Sequence, residues 1–302
     1  MTALDALVAR AGPRAREHAS LGAMTTYRVG GRARILVTAS TVADLEELTP
    51  LIQATELPLV VIGNGSNLLV AEGEHPMVAL HLIGDFTDLR WRREGDTVVV
   101  EVGAGADLPV AARRLAHAGV SGFEWAVGVP GTVGGAVAMN AGGHGSDMAA
   151  SVRTVTLWRG EIVVVDAAAM GFAYRTSCLE PGSIVTAATL SLVPGDPAQS
   201  DAQIRAIVRW RRVNQPGGAN GGSVFRNPEG DAAGRLIEVA GCKGLRVGSA
   251  VVSEKHANFI LVDAAGRADD VYDLMVAVAA RVREVTGVSL VAENRLVGFG
   301  ER

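Results

Sequence analysis

GVPGTVGGAVAMNAGGHG, residues 128–145, is the stretch on which the reading of this chain turns. Seven of its eighteen residues are glycine, and there is no acidic, lysine or arginine side chain in it. Each glycine costs a helix about 1 kcal/mol relative to alanine, so the spacing predicts a poor helix. A strand is expected to be weak as well, since glycine offers a sheet nothing to pack. Glycine at this density belongs where another group approaches the backbone closely or where φ is positive. Exposed N–H groups in such a loop suit a phosphate or the polar edge of a heterocycle. A flexible linker is the simpler alternative, but the apolar residues threaded through the stretch speak against it. A ligand-cradling loop is therefore expected.

The bulk numbers narrow the field. A length of 302 residues allows one large or two modest domains, and 48% hydrophobic residues supply a substantial core. A net charge of −4 gives no basic field for a nucleic acid. No apolar run approaches the roughly 20 residues of a membrane span. Residues 1–20 lack the apolar core of a secretory signal and read as a short polar helix. Cys178 and Cys242 lie far apart and make neither a metal pattern nor a disulfide framework. The expectation is a cytoplasmic protein with no metal, no nucleic-acid or membrane partner and no obligatory protein partner.

A second glycine loop, Gly63-Asn64-Gly65-Ser66-Asn67, sits between PLVVIG (58–63) and LLV (68–70), both of which read as strands. A dinucleotide fingerprint needs G-x-G-x-x-G and then a helix, and neither is present. What remains is a turn with backbone donors and the Ser66 and Asn67 side chains, suited to a pyrophosphate. A plain hairpin stays open as the alternative.

Taken in order, 25–38 predicts two short strands around a glycine turn. Residues 41–54 have helical spacing, with Leu45, Leu48 and Leu51 or Ile52 on one side. Strands are expected over 77–82, 97–102 and 184–193, a hairpin over 152–158 and 161–165, and a helix over 108–118 stopped by Gly119. The run PGDP at 194–197 marks a seam. Beyond it, a helix over 200–213 turns Ile204, Ile207 and Val208 inward and leaves Arg205, Arg209, Arg211 and Arg212 in solvent. A helix over 234–240, strands over 249–252 and 258–262, a helix over 269–286 ended by Gly287 and a strand over 289–297 complete the chain. Strands and helices mix in both halves, which predicts α+β rather than a doubly wound sheet.

Seven pieces, in order, carry a family likeness: TTYRVGG (25–31), PLVVIGNGSNLLV (58–70), the stretch 128–145, FAYRTS (172–177), GSVFRNP (222–228), VSEKHANFILV (252–262) and LVAENRLVG (290–298). On these the chain resembles the UDP-N-acetylenolpyruvoylglucosamine reductase family, flavoenzymes of peptidoglycan precursor synthesis. The resemblance implies an α+β fold: a two-subdomain FAD-binding module of the vanillyl-alcohol-oxidase (PCMH) type over 20–195, and a C-terminal α+β substrate-binding domain over 200–302. It points to the shorter family type, because few residues separate Arg175 from the strand at 184 and leave no room for a tyrosine-bearing loop. Covalent attachment in this fold often uses a histidine in the first glycine loop. Residues 63–67 have none, so the FAD is expected to dissociate.

The likeness implies roles residue by residue. NADPH is the expected co-substrate. Gly63, Asn64, Gly65, Ser66, Asn67, Gly128, Val129, Pro130, Gly131, Gly134, Gly135, Asn140 and Ala141 are the expected FAD contacts. Arg175 matches the catalytic arginine, Ser223 the proton donor and Glu293 the catalytic glutamate. A guanidinium fork suits a carboxylate by donating two parallel hydrogen bonds. Tyr174, Asn227, Lys243, Lys255 and His256 are expected on the UDP-sugar, lysines acting on a diphosphate as point charges. Read without the family, Arg175 is a surface arginine, Ser223 a turn serine, and Glu293 with Arg295 an exposed ion pair on one strand face. Ala292 and Asn294 depart from the family's usual proline and aliphatic residue. Two alternatives stay open: a paralogue of the same fold acting on another unsaturated acid, and a non-catalytic nucleotide-binding module.

Overall fold

Thr41 starts the helix Val42–Ala54 with a reciprocal box. Its hydroxyl accepts from the Asp44 N–H at 3.2 Å, and the Asp44 carboxylate accepts from the Thr41 N–H at 3.0 Å. That satisfies donors which a helix start otherwise leaves bare. Leu45, Leu48 and Ile52 are buried, as their spacing predicts. At the far end of the chain the helix Ala268–Thr286 stops at Gly287, whose left-handed φ of 75° costs glycine nothing.

The computed structural model describes residues 2–300 and divides them into two compact units. The first gathers the N-terminal stretch up to Glu17, Arg34–Asn64 and Pro76–Trp210; the second gathers His18–Ala33, Gly65–His75 and the chain from Arg211 onward. Each has its own apolar core. In the first, an antiparallel sheet runs in the order Ile162–Asp166, Val152–Trp158, Ile184–Pro194, Thr97–Gly103, Leu89–Glu94. Val98, Val100 and Val102 alternate into the core beside Leu115, Trp125, Val133 and Leu157. Leu59–Val61 pairs in parallel with Glu74–Leu82, Leu59 opposite Val78. The second core packs Tyr27, Leu69, Phe225, Ile237, Val252, Val271, Leu274 and Val278. There Arg246–Val247, Ala250–Val252 and Ile260–Val262 form a small antiparallel sheet, and Leu68–Val70 pairs in parallel with Arg295–Val297.

Several elements differ from expectation. The stretch 128–145 contains a helix after all, Val133–Ala138. A Cβ on Gly134 would lie 2.8 Å from the Ala104 Cβ, so the glycine lets this turn press onto its neighbour, and packing outweighs propensity. Residues 25–31 form no strand; only Arg32–Ala39 does. The loop 63–67 is no hairpin, because Leu59–Val61 and Leu68–Val70 pair with different partners in different sheets. Leu89–Glu94 is a strand that the pattern hides, since five of its six residues are exposed. The segment 1–20 holds a helix, Ala3–Ala11, and then a strand, Ala15–Ser20. The last strand shortens to Arg295–Val297. On the helix Pro197–Asn214, Val208 is exposed and Arg211 half-buried, the reverse of the predicted facing. Among the described residues no helix is long and apolar enough to cross a membrane.

Candidate active site

In the first unit the two glycine segments meet. A Cβ on Gly63 would lie 2.3 Å from Thr132 Oγ1, so only glycine admits this approach. Asn64 donates to Asp107 Oδ2 at 2.9 Å, and Asp107 caps the helix Leu108–His117 by accepting from the Val110 N–H. Leu108 N–H donates to Gly131 O at 3.0 Å, Val133 N–H to Ala106 O at 2.9 Å and Gly134 N–H to Ala104 O at 2.8 Å. Gly128, Val129 and Pro130 lead out of the tight helical turn Glu124–Gly128. Gly135 is exposed, and the nearest atom to a Cβ there is Thr132 Oγ1 at 3.7 Å, so its surface is open to a ligand.

Asn140 is buried at φ 40° with its amide committed to protein: Nδ2 donates to Asp147 Oδ2 and Ala173 O, and Oδ1 accepts from Ala149 N–H. It braces the turn that carries Arg175. In that turn Ala173 and Thr176 exchange both main-chain hydrogen bonds at 3.1 Å, leaving Tyr174 and Arg175 at the tip. Arg175 holds φ 56°, a left-handed conformation that costs a non-glycine residue about 1–2 kcal/mol. Its Nη2 donates to Gly142 O at 3.1 Å, and its guanidinium lies 5.2 Å from the Tyr174 ring centroid.

In the second unit Gly65 takes φ 57°, and a Cβ there would lie 2.5 Å from Met24 O. Ser66 follows, and then Asn67 binds the segment holding Glu293. Asn67 Nδ2 donates to Glu293 O at 3.0 Å, and Arg295 N–H donates to Asn67 O at 2.8 Å. Glu293 N–H donates to Val224 O at 2.7 Å and Phe225 bridges Ala292, so the segments of Ser223 and Glu293 lie side by side. Glu293 lies outside any regular strand, so the strand-face pairing with Arg295 has no alternation to rest on.

Each expected substrate contact of this unit already has a protein partner. Asn227 is exposed and accepts from Ala233 N–H at the start of the helix Ala233–Val239. Lys243 pairs with Glu238 at 2.8 Å, and Lys255 donates to Arg212 O at 2.5 Å. His256 stacks edge-on against Phe259, and its Nδ1 accepts from Asn258 N–H. Burial, helped by nearby Lys243, holds its pKa below the ordinary value.

Some buried polar positions escape the pattern. Asn258 clamps both main-chain groups of Phe225, and Asn294 with Tyr27 forms a buried polar node. Three buried donors have no hydrogen-bond partner among the described residues: Trp125 Nε1 in the first unit, Thr26 Oγ1 and Arg226 Nε in the second. Buried polar groups are nearly always satisfied, so each of these donors is an exception within its own unit.

Residues 33–166 match an FAD-binding domain, which fits the close glycine approaches at Gly63 and Gly134. The chain is an FAD-binding oxidoreductase of the α+β class that its sequence pattern predicts. Residues 214–297 match the C-terminal domain of UDP-N-acetylenolpyruvoylglucosamine reductase. A reductase of that name from Paramagnetospirillum magneticum is 41% identical over 93% of this chain and 91% of its own. One from Rubrobacter xylanophilus is 38% identical over 97% and 99%. The crystal structure of the Thermus caldophilus reductase covers 92% of this chain and 97% of its own at 38% identity, with a TM-score of 0.79. The chain belongs to the UDP-N-acetylenolpyruvoylglucosamine reductase family.

Proposed function

We propose that this protein reduces the enolpyruvyl ether of UDP-N-acetylglucosamine to UDP-N-acetylmuramate in the cytoplasm, with NADPH as hydride donor and a dissociable FAD. What supports the reading most is a match to reductases along nearly the whole chain, joined to the main-chain pairing that sets Ser223 beside Glu293. Residues 20–195 serve FAD and 200–302 the UDP-sugar. No nucleic acid, membrane or protein partner has a part in it.

The bound flavin supplies the hydride chemistry; the side chains supply position, charge and a proton. Main-chain and side-chain groups at 63–67 and 128–141 hold the dinucleotide. Hydride addition to the vinyl CH2 leaves negative charge on the adjacent carbon, spread into the substrate carboxylate. Arg175 offers that carboxylate a charged fork and stabilises the developing anion more than the ground state. The Ser223 hydroxyl delivers the proton to the carbon bearing the charge. Glu293 polarises the carboxylate and steadies the intermediate. Tyr174, Asn227, Lys243, Lys255 and His256 bind the UDP-sugar.

The test is anaerobic stopped-flow absorbance. NADPH should bleach the yellow protein, and the enolpyruvyl UDP-sugar should restore its colour. In Ser223→Ala the first step should survive and the second slow by about two orders of magnitude. Bleaching with no re-oxidation of the wild type by that substrate removes the assignment; equal loss in both steps of the variant removes the proton-donor role.

A further inference from the structure

Two buried polar residues of the second unit, Asn294 and Tyr27, have no part in the chemistry above. Asn294 is 4% exposed and Tyr27 fully buried. The Tyr27 hydroxyl donates to Asn294 Oδ1 at 3.0 Å. Asn294 Nδ2 donates to Asn67 Oδ1 and to Gly221 O, both at 2.9 Å, and faces Ser223 O at 3.4 Å. Three acceptors on one side of the amide and a hydroxyl on the other leave a single favourable orientation, since a flip would set oxygen against oxygen three times. The direction then propagates. Asn67 Oδ1 is used as an acceptor, so its Nδ2 must point the other way, and it donates to Glu293 O at 3.0 Å. The Tyr27 ring closes the other side: a Cβ on Gly221 would lie 2.3 Å from Tyr27 Cε2.

One amide therefore touches the second glycine loop and the main chain on both sides of Gly222, and its own residue follows Glu293. We propose that Asn294, oriented by Tyr27, is a positioning residue: it sets the main chain beneath Ser223 and Glu293 through the same contact that sets Asn67. This rests on the reductase reading above. Chained amides polarise one another, so losing one link loosens the others. Misplacing a reacting group by about 1 Å can cost a hundredfold in rate. The effect belongs to the step that uses Ser223 and Glu293, not to flavin reduction by NADPH.

The experiment compares Asn294→Ala and Tyr27→Phe with wild type in both half-reactions, alongside FAD titration of the apoprotein without substrate. Asn294→Ala should slow re-oxidation by the enolpyruvyl UDP-sugar about thirtyfold, flavin reduction less than about threefold, and weaken FAD about tenfold. Tyr27→Phe keeps the ring over Gly221 and should give the same pattern, with about a fivefold loss in re-oxidation. Loss shared equally by the two half-reactions, or re-oxidation within twofold of wild type in both variants, overturns the proposal. Should wild type not be re-oxidised by that substrate, the functional reading fails by itself. FAD affinity then decides: unchanged in both variants, it overturns the node as well.

Discussion

In the first unit the loop at 128–135 is held mainly through its backbone, whereas in the second the loop at 65–67 is held by side-chain amides. Gly131, Val133 and Gly134 bond main chain to main chain with residues 104–108, and Gly63 and Gly134 matter for the Cβ they lack. Asn67 is instead gripped by Asn294 and by the main chain at 293 and 295. A bare backbone surface accepts a ligand of fixed outline and leaves little for a substitution to adjust. An amide network couples what it touches, so disturbance at one member reaches the others. Substitutions in the first unit should therefore act on binding or on a single charge, and those in the second on groups of residues together.

The largest effect is expected at Arg175. Its φ of 56° suits glycine better than arginine, so Arg175→Gly removes backbone strain along with the guanidinium. Re-oxidation by the enolpyruvyl UDP-sugar should fall about a thousandfold. The melting temperature should stay within about 2 °C of wild type, relief of strain offsetting the lost contact to Gly142 O. A matching fall in melting temperature would mean that the arginine is there to hold the turn. Next comes Gly63→Ala, whose Cβ must displace Thr132. Overpacking of this kind costs about 1–3 kcal/mol and should weaken FAD about thirtyfold by fluorescence titration. Adding Thr132→Ala removes the Oγ1 that stands in the way and should recover part of the affinity. Full loss in the double variant would show that the main-chain path, not the side chain, is at fault.

What the sequence disclosed follows the reach of the forces involved. Gly119 and Gly287 mark helix ends because a cap acts within one turn, and the strands over 97–102 and 184–193 were legible from their dense apolar and β-branched residues. The helix Val133–Ala138 was not, because its support comes from Ala104 and Ala106, some thirty residues upstream. Leu89–Glu94 showed no apolar face to read. The Tyr27–Asn294 bond joins positions 267 residues apart, and no local pattern encodes such a pair. The roles of Arg175, Ser223 and Glu293 came from family likeness alone; taken singly, each is an ordinary polar residue.

A smaller effect separates the units by pH. His81 in the first and His256 in the second are both held below the ordinary histidine value of 6.5 by burial. The unfolded chain thus takes up protons first as the pH falls. Their effect on stability is absent well above pH 6.5, grows as the pH drops through that value, and levels off below the folded values. Replacing either with glutamine should make the melting curve shallower between pH 7 and 5.5, by about 1–3 °C over that range. If the units melt separately, His81→Gln should alter one transition and His256→Gln the other. An unchanged slope in both variants would locate the acid sensitivity elsewhere.

The smallest expected effect tests whether the second unit's couplings extend to its surface. Lys243 is proposed to meet the diphosphate, yet its ammonium lies 2.8 Å from Glu238, whose side chain is 59% exposed. An ion pair with so exposed a carboxylate contributes about 0–1 kcal/mol. Lys243→Met should raise KM for the UDP-sugar about tenfold, leaving flavin reduction unchanged. Glu238→Gln is the sharper probe. If the carboxylate only competes with the diphosphate, releasing the lysine should lower KM about twofold. If KM rises, Glu238 is steering the ammonium into place, and the coupling seen around Asn294 has a counterpart at the surface.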